Sequence, residues 1–191
     1  MAAIRYFKIA GITISYEVDL DWERIQVNPA LLPFIVDGSG EDNFVLQRSF
    51  VIPETSSYDL GKQVHNNPPW MVYENTLNGR VYYLGTLPDS QEQSLWTFAD
   101  FPTDFSEGTV YSHPDQREYC YQVGLQNLSG FPSDSIWLAP LLAIRNGIMM
   151  HSSAVCLNGK GLVFIGRSEA GKTTTYRMFK QTRDRQSTDV S

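Results

Sequence analysis

The chain has 191 residues, with 15 Lys and Arg against 21 Asp and Glu, for a formal charge of −6. That acidic balance, without any Lys/Arg cluster, argues against nucleic-acid binding, and apolar and charged fractions of 42% and 19% exclude a disordered chain. Two cysteines, Cys120 and Cys156, are too few for a disulfide framework or a four-ligand zinc site. No run approaches the roughly 18 consecutive apolar residues of a membrane-spanning helix. The opening Met1-Ala-Ala-Ile-Arg-Tyr-Phe-Lys lacks the apolar segment and cleavage site of a secretory signal, so a cytoplasmic protein with no membrane partner is expected. By length the chain should hold about one and a half domains.

Aromatic residues make up 13% of the chain, and 14 Gly and 10 Pro punctuate it, which favours strands joined by turns. Residues 4–18 are β-branched and aromatic, interrupted at Gly11, and read as one bent strand or two short ones. Strands follow at 34–36 and 44–52, the latter ended by Pro53. The polar stretch 54–69 reads as a loop. Strands at 70–75 and 79–84 meet at Asn78-Gly79, a pair that tolerates positive φ. Segments 94–98, 109–112 and 119–123 continue the strand pattern. Residues 1–130 are therefore expected to form an antiparallel β-rich N-terminal domain for partner or substrate recognition.

A helix is predicted over 136–146, with Asp134 or Ser135 at its cap, Pro140 setting a later start or a kink, and Gly147 at its stop. Its apolar residues lie on most faces, so it should be buried. Ile148–Leu157 and Gly161–Ile165 read as strands flanking Asn158-Gly159, the strongest short-range hairpin signal.

Immediately after the second strand stands Gly166-Arg-Ser-Glu-Ala-Gly-Lys-Thr173. It matches the phosphate-binding pattern G-x-x-x-x-G-K-[ST] at every fixed position. Gly166 and Gly171 let the backbone turn its N–H groups inward on phosphate oxygens. Lys172 offers a point charge to the β- and γ-phosphates, and the Thr173 hydroxyl is placed to ligate Mg²⁺. A helix expected over 173–179 turns its positive dipole end toward the same phosphates. ATP with Mg²⁺ is thus the expected ligand, contacted by Gly166, Arg167, Ser168, Glu169, Ala170, Gly171, Lys172, Thr173 and Thr174.

A tight hairpin before the loop forces an antiparallel neighbour, whereas common nucleotide hydrolases place a parallel strand there. That hairpin, together with the short helix, Met150-His151-Ser-Ser-Ala-Val155, Asn158-Gly-Lys-Gly161 and the loop, resembles the HPr kinase/phosphorylase family and its structural relative, phosphoenolpyruvate carboxykinase. The resemblance covers about 136–175, and residues 6–14 are similar to the opening strand of the N-terminal domains in such proteins. It implies an α/β fold leaning to α+β, with residues 131–191 as the N-terminal part of an ATP-binding core. It also implies phosphoryl transfer from Mg-ATP to a Ser hydroxyl of a protein or peptide. His151 falls where the family often carries a histidine, and core or rim packing is the competing role for it.

The family places an acidic pair on the strand after the loop helix, for metal binding and proton abstraction. Here the one candidate at similar separation is Asp189, and the single apolar side chain among residues 180–191 argues against a buried strand there. The loop also departs from the family at Arg167–Ala170, where small residues and a further Gly are usual. The core is therefore expected to be truncated after the loop. A non-catalytic nucleotide-binding or interaction module, and an inactive fragment of such a kinase, stand beside the kinase reading. Oligomerisation is compatible with all three.

Other candidates carry less. His65, His113 and His151 show no metal-ligand spacing. Cys156, in an apolar strand, is expected to be a buried small hydrophobe, and Cys120 to be structural. Asn127-Leu-Ser129 fits a glycosylation acceptor pattern but lacks a secretion signal. Trp70 and Trp96 could line a peptide-binding face, though sheet packing accounts for them as well.

Overall fold

Ala3–Ile9 (β1) and Ile12–Val18 (β2) form an antiparallel hairpin around Ala10 and Gly11, which take φ of 50° and 90°. The glycine interruption is thus a turn between two strands. The computed structural model describes residues 3–87, 94–130 and 134–188, and the chain is mixed α/β, divided into the units Met1–Gly147 and Ile148–Ser191.

In the first unit the remaining strands are Ile35–Val36 (β3), Asn43–Ser49 (β4), Lys62–Asn67 (β5), Trp70–Asn75 (β6), Arg80–Thr86 (β7), Leu95–Pro102 (β8) and Glu107–Ser112 (β9). They share one sheet in the order β3-β1-β2-β4-β9-β8-β7-β6-β5. β5 to β9 form an antiparallel meander of neighbours in sequence. The expectation of a purely antiparallel domain is corrected at the centre, where β4 runs parallel to both β2 and β9. A parallel pair needs a crossover of a dozen or more residues, and 19–42 supply one between β2 and β4.

Two further expectations are corrected. Residues 119–123 belong to a helix, Asp115–Val123 (α1), which starts after Pro114, carries Asp115 and Glu118 in its first turn, and ends at Gly124 with φ 85°. Those are ordinary helix boundary signals, and the local aromatic content masked them. The stretch 54–69 contains β5, every residue of which is exposed. A polar edge strand has no apolar alternation to betray it, and Lys62 with the register shift between Gln63 and His65 guards that edge against further pairing.

The second helix, Ser135–Ile144 (α2), lies close to its expected span and accommodates Pro140 within it. Its stop is a Schellman motif: the Gly147 amide donates to Leu142 O (2.7 Å) and the Asn146 amide to Ala143 O (3.1 Å). Asn146, at φ 57°, takes the left-handed position expected of Gly147. The Asp134 carboxylate does not cap α2 but accepts from the Leu128 and Ser129 amides (both 2.8 Å). The helix is buried on one side only: Trp137, Leu141 and Leu142 are buried, and Ile144 is exposed.

One face of the sheet is covered by α1 and α2 and buries Phe7, Ile14, Tyr16, Phe44, Leu46, Phe101 and Val110. Trp137 stacks on Phe44 and Phe101, with ring centroids 5.7 and 6.5 Å apart. Gly108 is required beneath this stack, since a Cβ there would collide with the Phe101 ring. Because α2 packs here, the first unit extends to Gly147, whereas the domain was expected to end at 130. On the opposite face Tyr58 packs edge-on against Tyr82 and Phe98. Trp70 packs against the main core, and Trp96 stacks on His113 at 4.9 Å, so both tryptophans serve packing.

Tyr16 carries a testable consequence. Burial pushes its phenol up to about 12, with the nearby Arg48 charge partly offsetting the rise. Its hydroxyl has no hydrogen-bond partner among the described residues. The folded state holds this proton more tightly than the unfolded chain, whose phenol titrates near 10. Stability from this group is full below about pH 10 and falls by about 1.4 kcal/mol per pH unit as pH rises to about 12. Burial also raises Tyr83 and Tyr58 to about 12, so the useful quantity is a difference between variants. Tyr16→Phe should change stability at pH 7 by less than about 1 kcal/mol, because an unpartnered buried hydroxyl contributes little. Its urea midpoint should fall less steeply than the wild type's above pH 10. Equal slopes would contradict the assignment.

Candidate phosphate-binding loop

In the second unit Ser152–Leu157 (β10) and Lys160–Ile165 (β11) pair antiparallel. Asn158 and Gly159 close the hairpin at φ 50° and 74°, the left-handed pair a type I′ turn demands. β10 begins at Ser152, not Ile148, so His151 precedes the strand. The register pairs Ser152 with Ile165, placing His151 at the end of the hairpin from which the loop leaves. His151 is exposed.

The third helix, Lys172–Thr188 (α3), is longer than the span expected from sequence. It packs on the hairpin through Phe164 and Phe179, whose rings lie 5.7 Å apart, and through Ser153 Oγ, which donates to Lys172 O at 2.9 Å. Two strands and one helix leave much of this unit's apolar surface open, including Leu157, Val163 and Ile165. Cys156 is exposed, which corrects the expectation of a buried thiol. It alternates with Val155, which is half-buried as Ser153 is, so a strand covered on one face leaves it to solvent.

Between β11 and α3 the loop folds on itself. Lys172 Nζ donates to Gly166 O and to Arg167 O, each at 2.7 Å. The ammonium therefore reaches back across the loop and is held at its mouth. The Ala170 amide donates to Arg167 O at 3.2 Å, closing a turn whose third residue, Glu169, has φ 66°. Such a turn normally places Gly or Asn at that position, and the loop 167–170 has no glycine to fill it. Gly171 follows at φ 79°. The Thr175 amide donates to Gly171 O at 2.9 Å, and its Oγ1 to the same oxygen at 3.1 Å. Among the described residues, the amides of Lys172, Thr173 and Thr174 have no backbone acceptor outside the helix itself, as expected of the first turn of a helix.

The structure thus brings together Gly166, Arg167, Ser168, Glu169, Ala170, Gly171, Lys172, Thr173 and Thr174 as one strand–loop–helix turn. The side chains of Arg167, Ser168, Glu169, Thr173 and Thr174 are exposed, so the Thr173 hydroxyl is open to solvent at the start of α3. Asp189 lies outside the described residues. Among those described, no group of three His, Cys, Asp or Glu side chains is spaced to hold a metal by itself. Ser153 and Thr175 were missed as loop supports. Neither carries a motif, and their roles come from a strand register and a helix turn. No family model, curated protein or solved structure matches the chain.

Proposed function

We propose that this chain binds a nucleoside triphosphate with Mg²⁺ through residues 166–174 and that, as the resemblance to HPr kinase-like proteins implies, it transfers the γ-phosphoryl group to a Ser hydroxyl of a protein or peptide. The observation that carries the binding reading is the position of Lys172 Nζ across the carbonyls of Gly166 and Arg167. A cation held there, beside unbonded helix amides, is the arrangement that receives phosphate oxygens. Catalysis in such a site is positioning and charge neutralisation. Lys172 and the amides would orient the phosphates, Thr173 would help hold a Mg²⁺ that offsets their charge, and His151 or Asp189 would take the acceptor proton.

A second reading, nucleotide binding without turnover, is favoured by Glu169. It is the carboxylate placed on the loop itself, exposed to solvent, where it would repel phosphates rather than activate a hydroxyl. Titration calorimetry with Mg-ATP tests the binding reading, and absence of saturable heat would remove it. Release of phosphate or labelling of a Ser peptide separates kinase from binder.

Glu169→Gly should tighten Mg-ATP binding about fivefold, since removing a like charge near the phosphates is worth about 1 kcal/mol at intermediate dielectric. It should also relieve a left-handed residue costing on the order of 1 kcal/mol. Unchanged or weaker affinity would place Glu169 outside the phosphate field.

A further inference from the structure

The first unit carries a concave site of its own. Its three mutually parallel strands β2, β4 and β9 end side by side, with Val18 opposite Arg48 and Ser49 opposite Tyr111. A cleft of about 520 Å³ opens at those ends, lined by Glu17, Asp19, Arg48, Phe50, Tyr111 and Arg117 among others. That size is typical of small-ligand sites, and the carboxyl ends of parallel strands are where ligands settle on open sheets.

Arg48 gives the cleft its chemistry. It is 4% exposed, yet its guanidinium meets only neutral groups: Nε donates to Ser112 Oγ (2.9 Å), Nη2 to Gln116 Oε1 (2.8 Å), and Nη1 stands 3.9 Å from Cys120 Sγ. Among the described residues it forms no ion pair. A buried charge without a counter-ion is costly, and the Phe50 ring 4.9 Å away offsets only part of that cost. A second guanidinium, Arg117, lies over the same ring at 5.9 Å. It spends Nη2 on Asp19 (O at 3.1 Å, Oδ2 at 2.6 Å), and its Nε and Nη1 make no hydrogen bond among the described residues. Of the acidic groups of the cleft, Asp19 is paired with Arg117, whereas Glu17 accepts from the neutral Gln47 Nε2 (3.0 Å) and keeps its negative charge.

We propose that this cleft binds an oxyanion, the phosphate or carboxylate group of a small ligand, with Arg117 as its direct cationic contact and Arg48 as the buried positive charge behind it. This site is independent of the loop at 166–174, so the test uses the full chain carrying Lys172→Ala. Inorganic phosphate and acetate are titrated separately while backbone amide shifts are followed by NMR. Saturable shifts confined to 17–19, 47–51, 109–111 and 117 are expected, with Kd in the millimolar range. Saturation by phosphate alone identifies a phosphate ligand, by acetate alone a carboxylate ligand, and by both a general oxyanion site.

Arg117→Ala should weaken binding about tenfold, the effect of one charge-assisted hydrogen bond. The exposed pair it breaks with Asp19 contributes little to folding. Glu17→Gln should tighten binding a few-fold by removing a like charge. Absence of saturable shifts with either anion, or an Arg117→Ala chain with wild-type affinity, overturns the proposal.

Discussion

Lys172→Ala is expected to abolish measurable Mg-ATP binding while leaving the sheet of the first unit intact. The ammonium has two functions in the loop. It holds the carbonyls of Gly166 and Arg167 together, and in the proposed complex it would supply the positive charge facing the phosphates. Charge-assisted hydrogen bonds contribute about 1.5–3 kcal/mol each, so losing two such bonds to phosphate oxygens would lower affinity by at least about 100-fold. Calorimetric titration against the wild type measures this, and far-ultraviolet circular dichroism checks that the fold survives. Undiminished ATP affinity in the variant would show that the nucleotide, if bound, is bound elsewhere. Lys172→Arg separates the two functions, because a guanidinium keeps the charge but cannot act as a compact point donor; intermediate affinity is expected.

A fragment ending at residue 147 should melt cooperatively, and one ending at residue 130 should not. The shorter fragment lacks Trp137, Leu141 and Leu142, all buried against the sheet, and uncovers Phe44 and Phe101. Fully burying side chains of this size is worth about 1.5–3 kcal/mol each, so three remove about 5–9 kcal/mol. A domain of this size is stable by only about 5–15 kcal/mol. Thermal unfolding followed in the near ultraviolet decides the matter, through the tryptophan and tyrosine signals of the packed core. Two equally cooperative fragments would mean that α2 is dispensable and that the unit ends earlier than its packing indicates.

The candidate site was more legible in the sequence than the fold was. The hairpin, the loop and the start of α3 all rest on interactions between residues a few positions apart. Asn158-Gly159 selects its turn by φ alone, and the G-x-x-x-x-G-K-T spacing is a backbone requirement written into consecutive positions. Helix α1 was missed although its signals are local, because Pro114, Asp115 and Gly124 were outweighed by Tyr119 and Tyr121. The strand β5 was missed because an edge strand need not be apolar.

What the sequence by itself determined was the set of elements whose causes are short-range: the turns at Asn78-Gly79 and Asn158-Gly159, the phosphate-loop pattern, and the apolar character of α2. Only the tertiary structure decided that β4 lies parallel between β2 and β9, that α2 seals the first unit, and that Arg48 and Arg117 both come close to the Phe50 ring, at 4.9 and 5.9 Å. Those outcomes join residues tens of positions apart. Their energy comes from burial shared among many partners, and no local spacing encodes which partners meet.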